Sequence, residues 1–226
     1  MSSQRLHDRL IAEAAKSVLG PLGFQRKGRS RLWFADHEWW LAVIEFQPSG
    51  WDRGAYLNVA AKWLWRADGW SFDFSFNGGA RAAGFVRFEN ELQFREQTLR
   101  LAQTAAAESQ RLKSAFPSIR AAAEQLRLRA HCDGWDLYHA AVAAFLAGRS
   151  EEARRYFGEL GIPKATDYPG AVWLRELRAT ARMHAEMCLD RERFLAVLAE
   201  QFQQSRASLR LSAPSRGVPG TSLYAV

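Results

Sequence analysis

Trp39-Trp40-Leu41-Ala42-Val43-Ile44-Glu45-Phe46 and Ala55-Tyr56-Leu57-Asn58-Val59-Ala60-Ala61-Lys62-Trp63-Leu64-Trp65 decide how this chain folds. In both stretches the side-chain pattern repeats every two residues. Trp40, Ala42, Ile44 and Phe46 fall on one side of the first, with Trp39, Leu41, Val43, Glu45 and Gln47 opposite. In the second, Leu57, Val59, Ala61, Trp63 and Trp65 form an apolar row, and Tyr56, Asn58, Lys62 and Leu64 a mixed one. Such alternation belongs to an antiparallel sheet with at least one covered face.

Reading outward, Phe24–Phe34 continues the period of two and is expected as a strand, with Asp36-His37-Glu38 as the turn into the next. A loop at Gln47–Gly54 joins the two central strands. After a turn at Arg66–Gly69, Trp70–Phe76 reads as a strand with Phe72, Phe74 and Phe76 on one face. Asn77-Gly78-Gly79 is a turn signal, and Gly84–Phe88 a further short strand. Upstream, Leu6, Leu10, Ile11, Ala14, Ala15, Val18 and Leu19 recur at helical spacing. Ser2 or Ser3 can cap that helix, and Gly20, Pro21 and Gly23 end it. Downstream, helices are expected over Glu91–Ala115, Ser118–Ala130, Asp136–Ala147, Ser150–Leu160, Ala171–Cys188 and Asp190–Leu211. Asp136–Leu160 resembles a single tetratricopeptide-type hairpin, which cannot bury its own faces alone. The fold class is therefore α+β: an N-terminal helix with an antiparallel sheet, followed by an all-helical C-terminal region. The expected domains are 1–90, a helical bundle region over 91–211, and a flexible tail over 212–226.

The chain has 226 residues, enough to bury roughly 70% of its unfolded surface without staples. Its composition is 48% hydrophobic and 24% charged, which suits a packed globular protein. A formal net charge of +7 favours anionic partners. The two cysteines, Cys132 and Cys188, lack CxxC spacing and read as free thiols. No apolar run has the length of a membrane span, and the first residues do not read as a signal peptide, so a cytoplasmic protein with no membrane partner is expected.

Three short elements carry a family likeness: Gly23-Phe24-Gln25-Arg26-Lys27-Gly28-Arg29, then Glu45-Phe46-Gln47-Pro48-Ser49, then Tyr56-Leu57-Asn58-Val59. In this order and spacing they resemble the bacterial family called domain of unknown function 4304, over roughly residues 5–90. The resemblance implies an α+β fold with an antiparallel sheet. It carries no activity and no catalytic residue with it.

Candidate sites follow from chemistry. Placed on a strand, Lys27, Arg29, Arg31 and Trp33 share one face and Arg26 lies on the other. Three cations and an indole in a row can hold phosphates while the ring stacks on a base; equally, they can make a charged, aggregation-resistant edge. Glu45, Gln47, Ser49 and Asn58 are polar groups near strand ends that either converge on a ligand or satisfy local backbone. Glu45, in an apolar strand, is expected to need a cation such as Arg29 or Arg31. The five histidines show no i, i+4 pairing and no metal-ligand motif, although His131 and Cys132 leave a dyad open. No nucleophile elbow, phosphate loop or dinucleotide fingerprint is present, and no cofactor or metal is expected. The leading reading is a non-catalytic protein–protein interaction or accessory factor, of adaptor or immunity type, in a bacterial system. The alternatives are single-stranded nucleic-acid binding through a basic–aromatic sheet face, and a small hydrolase or nuclease using Glu45.

Overall fold

In the computed structural model, residues 3–130, 134–165, 167 and 170–214 are described. The capping side chain at Ser2 or Ser3, the His131–Cys132 pair and the tail beyond Pro214 lie outside the described residues. The chain divides into two compact units, one of residues 1–63 with 70–114, the other of 64–69 with 115–226.

The first unit opens with α1 (Ser3–Leu19) and a 3-10 turn at Gly20–Leu22, which Gly23 closes in the left-handed conformation at φ 84°. Five strands follow: β1 (Gln25–Arg26), β2 (Leu32–Asp36), β3 (Trp40–Gln47), β4 (Gly54–Trp63) and β5 (Arg81–Arg87). They form one antiparallel meander in chain order. Trp40 opposes Trp63, Ile44 opposes Val59 and Phe46 opposes Leu57, so the two apolar rows combine into one continuous buried face. Trp33 and Ala35 of β2 extend that face. On the reverse, Leu41, Val43 and Ala60 are buried, whereas Glu45, Gln47 and Tyr56 at the other end are only partly covered. The α2 helix (Glu91–Ala115) completes the unit, grouping with the sheet rather than with the helices that follow it. Its start is fixed by Asn90, whose Oδ1 accepts from Gln93 N, while Gln93 Oε1 accepts in return from Glu89 N.

The second unit holds α3 (Ile119–Arg127), α4 (Trp135–Leu146), α5 (Ser150–Gly161), α6 (Val172–Met187) and α7 (Arg191–Leu209). Each packs on the next in sequence. Ser118 caps α3 by accepting from Ala121 N, and Asp190 caps α7 by accepting from Arg193 N. Gly148, at φ 86°, ends α4 so that Arg149 N reaches back to Ala144 O. The α4–α5 hairpin matches the one read from sequence. No helix among the described residues is long and apolar enough to cross a membrane.

Three strand readings are corrected. Phe24–Phe34 is not one strand: it is a hairpin whose loop, 27–31, turns at Gly28 with φ 54°. Lys27 N donates to Leu32 O, and the Arg26 guanidinium donates to Ser30 O and Arg29 O, locking the turn. Trp70–Phe76 forms no strand; only Phe74 bridges, to Ala61, and of Phe72, Phe74 and Phe76 it alone is buried. Trp65 does not continue the β4 row, because β4 stops at Trp63 and residues 64–69 belong to the helical unit.

Candidate functional site

Meander topology brings the β1–β2 loop (27–31) and the β3–β4 loop (48–53) to the same end of the sheet. Between them lies an open groove of about 560 Å³, lined by Arg26, Lys27, Arg29, Arg31, Glu45 and Pro48 among others. The structure therefore gathers the basic run and the acidic candidate around one depression, although not in the strand register expected.

The four cations do different jobs. Arg31 is almost wholly engaged: Nε and Nη2 donate to Asp8 Oδ1 at 2.9 and 2.6 Å, and Nη1 donates to Gly54 O at 3.1 Å. Its Nη2 also lies 3.0 Å from His7 Nδ1, while His7 Nε2 lies 3.0 Å from the same Gly54 carbonyl. Burial, helped by the Arg31 charge, keeps the His7 pKa below its usual value. Arg26 is spent on the loop backbone. Lys27 rests its ammonium 4.7 Å from the centre of the Trp70 ring, a cation–π contact that leaves its hydrogens exposed. Arg29 is exposed and has no hydrogen-bond or ion-pair partner among the described residues. Only Lys27 and Arg29 thus offer charge to a partner.

Trp33 cannot be the stacking platform. It pairs with Arg26 and Ile44 in the sheet, faces the core and is 5% exposed. Lys27, Arg29 and Arg31 lie in the β1–β2 loop and Trp33 on β2 facing the core, so the four share no face and form no basic–aromatic ladder.

Glu45, Gln47 and Asn58 do come together. Asn58 opposes Glu45 across β3 and β4, and its amide donates to Glu45 Oε2 at 3.1 Å and to Gln47 Oε1 at 2.9 Å. Arg81, which opposes Asn58 on β5, donates to Gln47 Oε1 at 3.1 Å and stacks 3.8 Å from the Tyr56 ring centre. The partner of Glu45 is therefore an amide, not Arg29 or Arg31. Sequence offered no signal for Arg81, which reaches the cluster only through the β4–β5 register.

Ser49 stands apart from that cluster and shapes the β3–β4 loop, its Oγ accepting from Trp51 N and Asp52 N at 3.1 and 3.3 Å. The loop it folds presents Trp51, which is 98% exposed. Asp52 is held in turn by Arg87 at 2.6 Å. A tryptophan inside Pro48-Ser49-Gly50-Trp51-Asp52-Arg53-Gly54 was the available signal, since no strand periodicity assigns it to a core.

This end of the sheet presents an exposed indole, two exposed cations and a hydrogen-bonded polar strip. Among the described residues, no group of three His, Cys, Asp or Glu side chains is placed to hold a metal ion. Comparison with protein-family models, curated proteins and solved structures finds no match.

Proposed function

We propose that this chain is a non-catalytic interaction protein, an accessory factor of adaptor or immunity type, that grips another protein at the β1–β2 and β3–β4 end of its sheet. The observation that carries the reading is Trp51, fully exposed on a loop tied down by Ser49 and by the Asp52–Arg87 pair. An ordered, exposed tryptophan beside arginine is the composition of interface hot spots. The kinship with the domain of unknown function 4304 family belongs to the same proposal. It is supported by motif residues that act together: Gly23 and Gly28 occupy left-handed positions, and Gln47 and Asn58 bond each other.

The test is crosslinking in cells that naturally make the protein, comparing wild type with Trp51→Ser and Arg29→Glu. One partner recovered with wild type and lost with Trp51→Ser supports the reading. Binding to an oligonucleotide that collapses with salt and ignores Trp51→Ser replaces it with the nucleic-acid alternative.

A further inference from the structure

At the opposite end of the sheet, the β2–β3 turn, the end of the 3-10 turn with Phe24, and the last turns of α2 line a second, partly open cavity of about 260 Å³. Its walls divide by chemistry. Leu22 and Phe24 are apolar, whereas His37, Ser109, Gln110 and Lys113 are polar. None of the residues that line it is acidic. Asp36, next in sequence to His37, is exposed, and its carboxylate accepts from Glu38 N.

The His37 ring is held in place from one side by stacking on Trp40, with centroids 4.2 Å apart and planes 21° from parallel. The backbone around it is equally fixed, since His37 N donates to Trp40 O and Trp39 N donates to His37 O. Yet the imidazole, the Gln110 amide and the Lys113 ammonium have no hydrogen-bond or ion-pair partner among the described residues. Three unengaged polar groups meeting at one cavity with an apolar wall are the ingredients of a ligand site: a few polar groups orient, and the wall supplies burial.

We propose that this cavity binds a small organic carboxylate with an apolar body. Lys113 supplies the charge and Gln110 and His37 the hydrogen bonds, while Leu22 and Phe24 cover the body. Burial and the nearby Lys113 charge hold His37 neutral, its pKa lowered to about 4, so the ring enters as a neutral hydrogen-bonding group. The volume lies just below the roughly 300–1,000 Å³ of drug-sized pockets, which limits the ligand to a small one. The apolar wall favours an organic acid over inorganic phosphate, whose whole surface is polar.

The site is separate from Trp51, so its test is independent of the interaction reading. The probe is 3-phenylpropionate titrated into the full chain, followed by calorimetry and by the NMR signals of the His37 ring. Saturable binding that moves those signals is expected, with 3-phenylpropionamide and inorganic phosphate each binding about tenfold or more weakly. Lys113→Gln is expected to weaken binding about tenfold without lowering the melting temperature, because Lys113 is exposed. Trp51→Ser should bind the probe as wild type does. No saturable shift, an equally tight amide or phosphate, or indifference to Lys113→Gln would each overturn the proposal.

Discussion

His184 shows at the scale of one residue how packing creates a pH liability. It lies on α6 among the rings of Tyr138, Phe157 and Phe194, with centroids 5.9, 5.3 and 4.8 Å away. Neither ring nitrogen has a hydrogen-bond partner among the described residues, and burial lowers its pKa to about 4. The folded unit therefore binds His184 neutral, whereas the unfolded chain protonates it below about pH 6.5. Its contribution is complete above that pH and declines as pH falls toward 4, by at most about 3 kcal/mol. His184→Phe should flatten this dependence; urea unfolding at pH 7 and pH 5 checks it, and an unchanged pH slope would sink the idea. A second residue-scale prediction concerns Gly54. A Cβ there would stand 2.1 Å from Val86 O and 2.5 Å from the Phe85 ring, so Gly54→Ala should cost about 2–4 kcal/mol in denaturant unfolding. Neither site was legible beforehand. The histidines show no motif, and a close approach between β4 and β5 leaves no trace in the pattern of either strand.

For single elements, legibility followed whether a segment bonds to its sequence neighbours or to distant chain. The helices from Glu91 onward were found within a few residues of their ends, because their ladders and caps are local: Ser118, Gly148 and Asp190 are visible as punctuation. The central strands were legible for a similar reason, since burial on one face imposes a period of two. The basic hairpin was not. Its Phe24–Phe34 alternation survives on paper, but Gly28 and the Arg26–Ser30 bond fold it back. That fold separates two kinds of cation that look alike in sequence. Arg31 ties the hairpin to α1 through Asp8 and has a side chain only 11% exposed. Arg31→Ala should destabilise by about 2–3 kcal/mol, since it strips partners from the buried His7 and Gly54 carbonyl as well as from half-exposed Asp8, whereas Arg29→Ala should stay within about 0.5 kcal/mol. Thermal or urea unfolding of the two variants side by side decides this; equal effects would contradict the assignment.

For the whole molecule, the two compact units differ from a division at residue 90: α2 groups with the sheet, and the chain enters the helical unit twice, at 64–69 and again from 115. The alternation of Ala61, Trp63 and Trp65 runs on unbroken, so nothing in sequence marks the exit at Leu64. The structure supplies the reason for the exit. Trp65 is 1% exposed; its Nε1 donates to His139 Nδ1 at 3.1 Å and its ring meets Phe202 edge-on. Ser205 Oγ donates to Arg66 O at 3.0 Å, and the Arg66 guanidinium stacks 3.6 Å from the centre of the Trp135 ring. Six residues from the middle of the β region are thus part of the helical core, joining α4 to α7. A fragment of residues 115–214 keeps five helices yet lacks this segment, and it loses a large buried aromatic together with partners for His139 and Ser205. Removing a buried tryptophan side chain alone costs about 3–5 kcal/mol, a large share of the stability of a domain this size. The fragment should therefore keep helical circular dichroism while binding a hydrophobic dye and melting without cooperativity. The full-length Trp65→Ala variant should show the same loosening of near-ultraviolet signal. A fragment that melts sharply and excludes the dye would mean that residues 64–69 sit on a core already complete without them.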